Sequence, residues 1–229
     1  MASLAIANDA DIAKRAGFIM MLRNCGIMDH RVLKAIESVP RRVFLGALYQ
    51  THGYEDRLFP IECGQMSTSP TMIGRLITLL DLNEKHRVME IGTGTGYMSA
   101  ILAHLCQSVV SVERYKTLVA LAQDRFEALK IDNIELVHGD GLVLNDSEFD
   151  EFGAEASYDR IVLTGSVTKV PSFLFNCLSP GGKLVAPISS SKGDPCNLMV
   201  YDWAGREKRE VCYGQFRFFP LTPGVAVKL

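Results

Sequence analysis

The chain has 229 residues, 48% of them hydrophobic and 22% charged, which is the balance of a globule with a sizeable core. Its net charge of −2 offers no broad basic field, so nucleic-acid binding is not favoured. The six cysteines are scattered without a C-x-x-C pair, which argues against a disulfide framework or a zinc site. No apolar run approaches the ~20 residues needed to span a bilayer, and no signal peptide is read at the N-terminus. Reduced thiols and a cytoplasmic location are therefore expected.

Taken in chain order, residues 10–39 read as helix. Ile12, Ala16, Ile19 and Met20 repeat at helical spacing, as do Val32, Leu33, Ile36 and Val39. Asp29 is placed to cap the second of these helices, and Pro40 follows it. Residues 41–70 are irregular and long for a passive loop. A helix is expected over 71–82, with Pro70 near its first turn, where a missing N–H costs little.

From residue 87 the pattern alternates. Strands are expected at 87–91, 108–113, 134–138, 158–163 and 183–188, and helices at 96–106, 115–130 and 171–178. Pro180-Gly181-Gly182 reads as a turn. Strand–helix–strand order implies an α/β fold with a doubly wound, mostly parallel sheet. Two extended runs at 197–203 and 209–219, joined around Gly205, predict an antiparallel C-terminal hairpin. The acidic stretch 146–156 reads as a solvated loop. The expected organisation is a helical extension with a substrate loop (1–82) and a nucleotide-binding core (83–229), packed as one unit.

The segment Glu90-Ile91-Gly92-Thr93-Gly94-Thr95-Gly96 ends the first strand of the alternating region. Glycines there let the chain turn sharply and let a ligand approach the main chain. The spacing is G-x-G-x-G, and a carboxylate precedes it. Glu90 would serve a pyrophosphate badly and a cationic sulfonium with an amino-acid tail well, which points to S-adenosyl-L-methionine (AdoMet) rather than a dinucleotide. Glu90 is assigned to the methionine end of that cofactor, with Gly92, Thr93, Gly94 and Gly96 shaping the floor. Glu113, at the tip of the next strand, is placed to take ribose hydroxyls. Asp140-Gly141 follows the third strand, with Asp140 placed to accept from the adenine amino group. No His or Cys has metal-ligand spacing, so no metal is expected.

The wider pattern resembles the protein-L-isoaspartate (D-aspartate) O-methyltransferase family. Tyr54, Asp56, Pro60-Ile61, Gly64-Gln65 and Pro70 fall at the family's spacing Y-x-D-x-x-x-P-I-x-x-G-Q-x-x-S-x-P. Pro180-Gly181-Gly182-Lys183-Leu184 and Phe216-Arg217-Phe218-Phe219-Pro220-Leu221 match its L-x-P-G-G-R-L and V-R-F-V-P-L. The resemblance implies a Rossmann-like methyltransferase fold. It also implies methyl transfer from AdoMet, leaving S-adenosyl-L-homocysteine, to the carboxylate of L-isoaspartyl residues in damaged proteins. An isoaspartyl carboxyl is ionised at neutral pH, so positioning rather than deprotonation carries the reaction.

The same resemblance implies acceptor-side residues. The hydroxyl near the transferred methyl falls on Thr68, with Ser67 as its neighbour. Gln65, Met66, Gly165, Ser166 and Arg217 line the acceptor pocket. Met66-Ser67-Thr68 stands where the family has Thr-Ile-Ser, and Gly165-Ser166 where it has Ala-Ala. These departures keep two alternatives in play: a related methyltransferase with another carboxylate or small-molecule acceptor, or a non-catalytic AdoMet-binding module. The expected partners are isoaspartyl peptides and proteins, with no nucleic acid and no membrane, and a monomer is expected.

Overall fold

The computed structural model describes residues 9–143, 158–191, 194–205 and 207–226. The acidic stretch 146–156 lies outside them. Seven strands form one sheet in the order β3-β2-β1-β4-β5-β6-β7. The strands are β1 (Arg87–Ile91), β2 (Ser108–Glu113), β3 (Ile134–His138), β4 (Tyr158–Leu163), β5 (Leu178–Ile188), β6 (Cys196–Trp203) and β7 (Lys208–Phe216). Pairings from β3 to β5 are parallel, and β5–β6 and β6–β7 are antiparallel. The doubly wound sheet with a closing hairpin is the architecture read from the alternating pattern.

Successive residues of the central strands point to opposite faces, so each face collects one apolar set. Val88, Val109, Val162 and Val185 join one core with Phe18, Leu22, Ile36, Phe44 and Leu76 from the N-terminal helices. Met89, Ile91, Val112, Ile161 and Leu184 join the other, with Val167, Val170 and Leu174. The N-terminal extension is thus bound into the sheet's own core. Its helices are α1 (Asp9–Asn24), α2 (His30–Ser38) and α3 (Pro70–Leu80). The Asp29 side chain accepts from the Arg31 amide and caps α2 as expected. In α1 the buried face is Phe18 and Leu22; Ile12 and Met20 are exposed, so the apolar repeat there misplaced the stripe.

Two other boundaries moved. β5 begins at Leu178, five residues before the expected strand. The Pro-Gly-Gly turn is carried inside it as an irregularity: Tyr158 pairs with Leu178, but Arg160 pairs with Lys183. The final strand stops at Phe216 rather than 219. Beyond it the chain leaves the hairpin and pairs with the segment after β4: the Ser166 amide donates to the Phe219 carbonyl at 2.8 Å and the Leu221 amide to the Ser166 carbonyl at 2.9 Å. This return brings the C-terminal segment over the carboxyl ends of the parallel strands, where ligands bind in open α/β sheets.

Candidate functional site

A cleft lies at those strand ends. One wall is built from the turns after β1, β2, β3 and β4, with Gly92 to Thr95, Glu113, Asp140-Gly141 and Thr164-Gly165. The other wall is the irregular segment before α3, from Leu58 to Ser69, together with Arg217 to Thr222. Helices α4 (Tyr97–Ala103) and α5 (Lys116–Leu129) follow the first two turns and back this floor.

The glycine turn works through close approach. Gly94 adopts φ +55, and a Cβ there would meet only Ile61 Cδ1 at 3.8 Å, so its missing side chain leaves the floor open to a ligand. Gly96 has another task. A Cβ at Gly96 would lie 2.7 Å from the Phe126 ring, so this glycine lets α4 pack on α5 and does not line the cleft.

Glu113 is buried at the tip of β2. One carboxylate oxygen accepts the Gly94 amide at 2.9 Å, and the other accepts the Tyr115 amide at 3.0 Å. Burial raises its pKa, opposed first by the Gly94 and Tyr115 amides. A carboxylate has about four lone-pair sites, so two amides leave capacity for a cis-diol. With Gly94 this makes the wall fit the adenosyl group of AdoMet. Asp140 is also committed on both oxygens, to the Leu142 amide at 2.9 Å and the Gly224 amide at 2.5 Å. It ties the C-terminal segment to the turn after β3, which the adenine assignment did not foresee.

Glu90 corrects its sequence assignment. It shares a face of β1 with Val88 and so points into the core that the N-terminal helices cover, fully buried and off the cleft wall. One oxygen accepts from Ser99 and, at 2.6 Å, from Ser111, its cross-strand neighbour; the other has no partner among the described residues. Burial pushes its pKa up to about 7 despite these two hydroxyls. Ser111 also bonds Thr93 at 2.6 Å. Glu90 therefore holds the corner between β1, β2 and α4 beneath the glycine turn.

On the opposite wall, the irregular segment folds back on itself. The Ser67 amide donates to the Phe59 carbonyl at 2.8 Å, and the Phe59 amide donates to Ser67 Oγ at 2.9 Å. Ser67 thus shapes the loop while also lining the cleft, and accepting the Phe59 amide leaves its O–H proton free to donate. Ser69 caps α3 by accepting the Met72 amide, and Asp56 accepts the Thr71 amide at 2.8 Å. Capping therefore does not need Thr68. Thr68 lines the cleft, and its hydroxyl makes no hydrogen bond among the described residues. Gln65 donates to the Tyr115 hydroxyl at 3.2 Å and so links this loop to the turn after β2.

Met66, Gly165 and Arg217 line the cleft. A Cβ at Gly165 would lie 2.6 Å from the Phe219 carbonyl oxygen, so glycine is what lets the C-terminal segment come this close. Arg217 is exposed and makes no ion pair among the described residues. Ser166 is displaced from its expected place: it pairs with the C-terminal segment through its backbone and borders a second hollow with Thr168 and Ser189.

Sequence reasoning missed Arg41, Arg114 and Tyr115. Arg41 is 4% exposed and lines the cleft. Arg114 donates to the Tyr115 hydroxyl at 3.0 Å and to the Gly224 carbonyl at 2.7 Å, clasping the C-terminal segment. No spacing rule singles these out, because turns carry no periodicity. Among the described residues no His, Cys or Lys lines the cleft, and no group of three or more His, Cys, Asp or Glu could hold a metal.

Residues 13–226 match the sequence pattern of the family described as protein-L-isoaspartate(D-aspartate) O-methyltransferase. The chain belongs to this family. A protein-L-isoaspartate O-methyltransferase from Azorhizobium caulinodans is 39% identical over 223 residues, covering 97% of this chain and 99% of the relative. A solved protein-L-isoaspartate O-methyltransferase superposes with a TM-score of 0.79 at 26% identity, covering 92% of this chain and 67% of that one. A Plasmodium falciparum chain solved with S-adenosyl-L-homocysteine shares the fold, with a TM-score of 0.76, 23% identity and coverage of 91% and 98%. The chain is accordingly an AdoMet-dependent methyltransferase.

Proposed function

We propose that the cleft transfers a methyl group from AdoMet to the carboxylate of L-isoaspartyl residues in damaged proteins, and that the two walls divide this work. The observation that carries the reading is the family match over residues 13–226, which spans both walls. AdoMet supplies an electrophilic methyl on a sulfonium, leaving S-adenosyl-L-homocysteine, and an ionised carboxylate is a sufficient nucleophile for it. The following backbone amide nitrogen can then attack the ester carbonyl, closing a succinimide with loss of methanol, and hydrolysis of the succinimide yields some normal aspartate.

Within this reading, Glu113 holds the ribose hydroxyls and the amides around Gly94 lie along the cofactor. Thr68 directs its free hydroxyl to the acceptor carboxylate, and Arg217 attracts that carboxylate to the mouth. Gln65 and Ser67 keep the loop in register, so that the reacting oxygen meets the methyl in line. Such positioning can supply roughly 7–11 kcal/mol of a bimolecular barrier. The scattered cysteines and the absence of a broad basic field support work in the cytoplasm, away from nucleic acid.

The test is incubation with methyl-labelled AdoMet and a synthetic isoaspartyl peptide. Labelled ester is expected. An unlabelled peptide, with AdoMet bound, would move the reading to another acceptor, a possibility that Met66 and Gly165 in the acceptor pocket favour.

A further inference from the structure

Three guanidinium groups border the cleft, those of Arg41, Arg114 and Arg217. The proposed reaction brings two carboxylates to it, one on the acceptor and one on the amino-acid end of AdoMet. Arg114 sits beside Glu113 and is spent on Tyr115 and Gly224. Arg217 is exposed at the mouth. Arg41 is different in kind, because it is buried and faces the side of the cleft that begins α4. Its guanidinium lies 5.9 Å from the centroid of the Tyr97 ring, just after the glycine turn, and 5.3 Å from that of Phe59.

The polar contacts of Arg41 are two main-chain carbonyls, Glu55 O and Arg57 O, each at 2.6 Å. Among the described residues it makes no ion pair. Burial lowers its pKa; the influences of Tyr97, Asp56 and Glu55 raise it. A buried cation without an anion in contact is costly, and carbonyl dipoles offset only part of that cost. Two bonds also leave part of its five-donor fork unspent.

We propose that Arg41 is the counter-charge for the α-carboxylate of AdoMet and, through its bonds to residues 55 and 57, a positioning residue that ties cofactor binding to the acceptor loop. The inference rests on the AdoMet reading. Cofactor arrival supplies the anion that this buried cation lacks, and the same side chain holds the loop that carries Thr68. Arg42, the next residue, is exposed and lacks this placement.

Calorimetry with two ligands tests it: S-adenosyl-L-homocysteine, and its analogue lacking only the α-carboxylate. The wild-type chain is expected to prefer the full ligand by about 30-fold, the size of one charge pair several Å apart at an effective dielectric near 20. Arg41→Gln is expected to shrink this preference to within about threefold, while Arg41→Lys, which keeps the charge and loses the planar fork, retains part of it. A purely structural role would weaken both ligands alike and leave the ratio unchanged, and that result overturns the proposal. If Arg41→Gln fails to fold, the wild-type ratio still decides: equal affinity for the two ligands means the carboxylate has no counter-charge. Failure of S-adenosyl-L-homocysteine itself to bind would instead sink the AdoMet reading.

Discussion

The two walls of the cleft are built by different means. The cofactor wall stands on strand ends whose side chains fill both cores, and its turns are fixed by buried groups such as Glu113 and Glu90. The acceptor wall is irregular chain, held by a few individual bonds from Arg41, Asp56, Ser67 and Gln65. Rigid turns keep a constant ligand in one pose. A stapled loop can admit acceptors that arrive within many different polypeptides. Except at Arg41, which is proposed to serve both walls, changes on one wall should therefore be separable from changes on the other.

The largest expected effect is on the cofactor wall. Glu113→Ala removes the proposed ribose acceptor and frees the Gly94 and Tyr115 amides together, so S-adenosyl-L-homocysteine affinity should fall about 100-fold by calorimetry. A fall of less than about threefold would remove Glu113 from the site. On the acceptor wall, Thr68→Val keeps the shape and deletes the hydroxyl. Its kcat should drop roughly 30-fold while S-adenosyl-L-homocysteine affinity stays within about twofold. Parallel losses in both quantities would show that the walls are not separable.

A smaller effect is expected from Gly165→Ala. The added Cβ meets the Phe219 carbonyl, so the C-terminal segment must shift. Peptide kcat/KM should fall about tenfold, with cofactor affinity unchanged. Unchanged peptide kinetics would mean that the segment does not shape the acceptor pocket.

The smallest effect is on stability. Burial holds the Glu90 pKa near 7, against an ordinary value of 4.5, so the folded chain favours the neutral carboxyl. The stability this contributes is complete below about pH 4.5 and is lost as pH rises to about 7. Glu90→Gln keeps a neutral group of the same shape, so its Tm should decline less than that of the wild type between about pH 5 and about pH 8. Identical slopes would show that Glu90 does not titrate in this window.

The same contrast explains what could be read from the amino-acid sequence. The parallel strands were legible because burial on both faces gives continuous apolar runs, and the glycine turn because backbone geometry restricts its residues. Glu113 was placed on the cleft by the same rule that marks strand tips in nucleotide folds. The inward orientation of Glu90 was missed although the information was present: it shares a face with Val88, and alternation alone turns it inward. The acceptor wall was legible mainly through family resemblance. Nothing local distinguishes buried Arg41 from exposed Arg42, or tells that Ser67 bonds Phe59 while the Thr68 hydroxyl bonds nothing among the described residues. Those choices are made by tertiary contacts across 8 to 50 residues of chain.

The most direct measurement of the central claim compares kcat/KM for an isoaspartyl peptide and for its normal aspartyl isomer, which differ only in which carboxyl carries the backbone. A cleft that positions one carboxylate against the methyl is expected to favour the isoaspartyl peptide by more than about 1,000-fold. Equal rates for the two isomers would contradict the account.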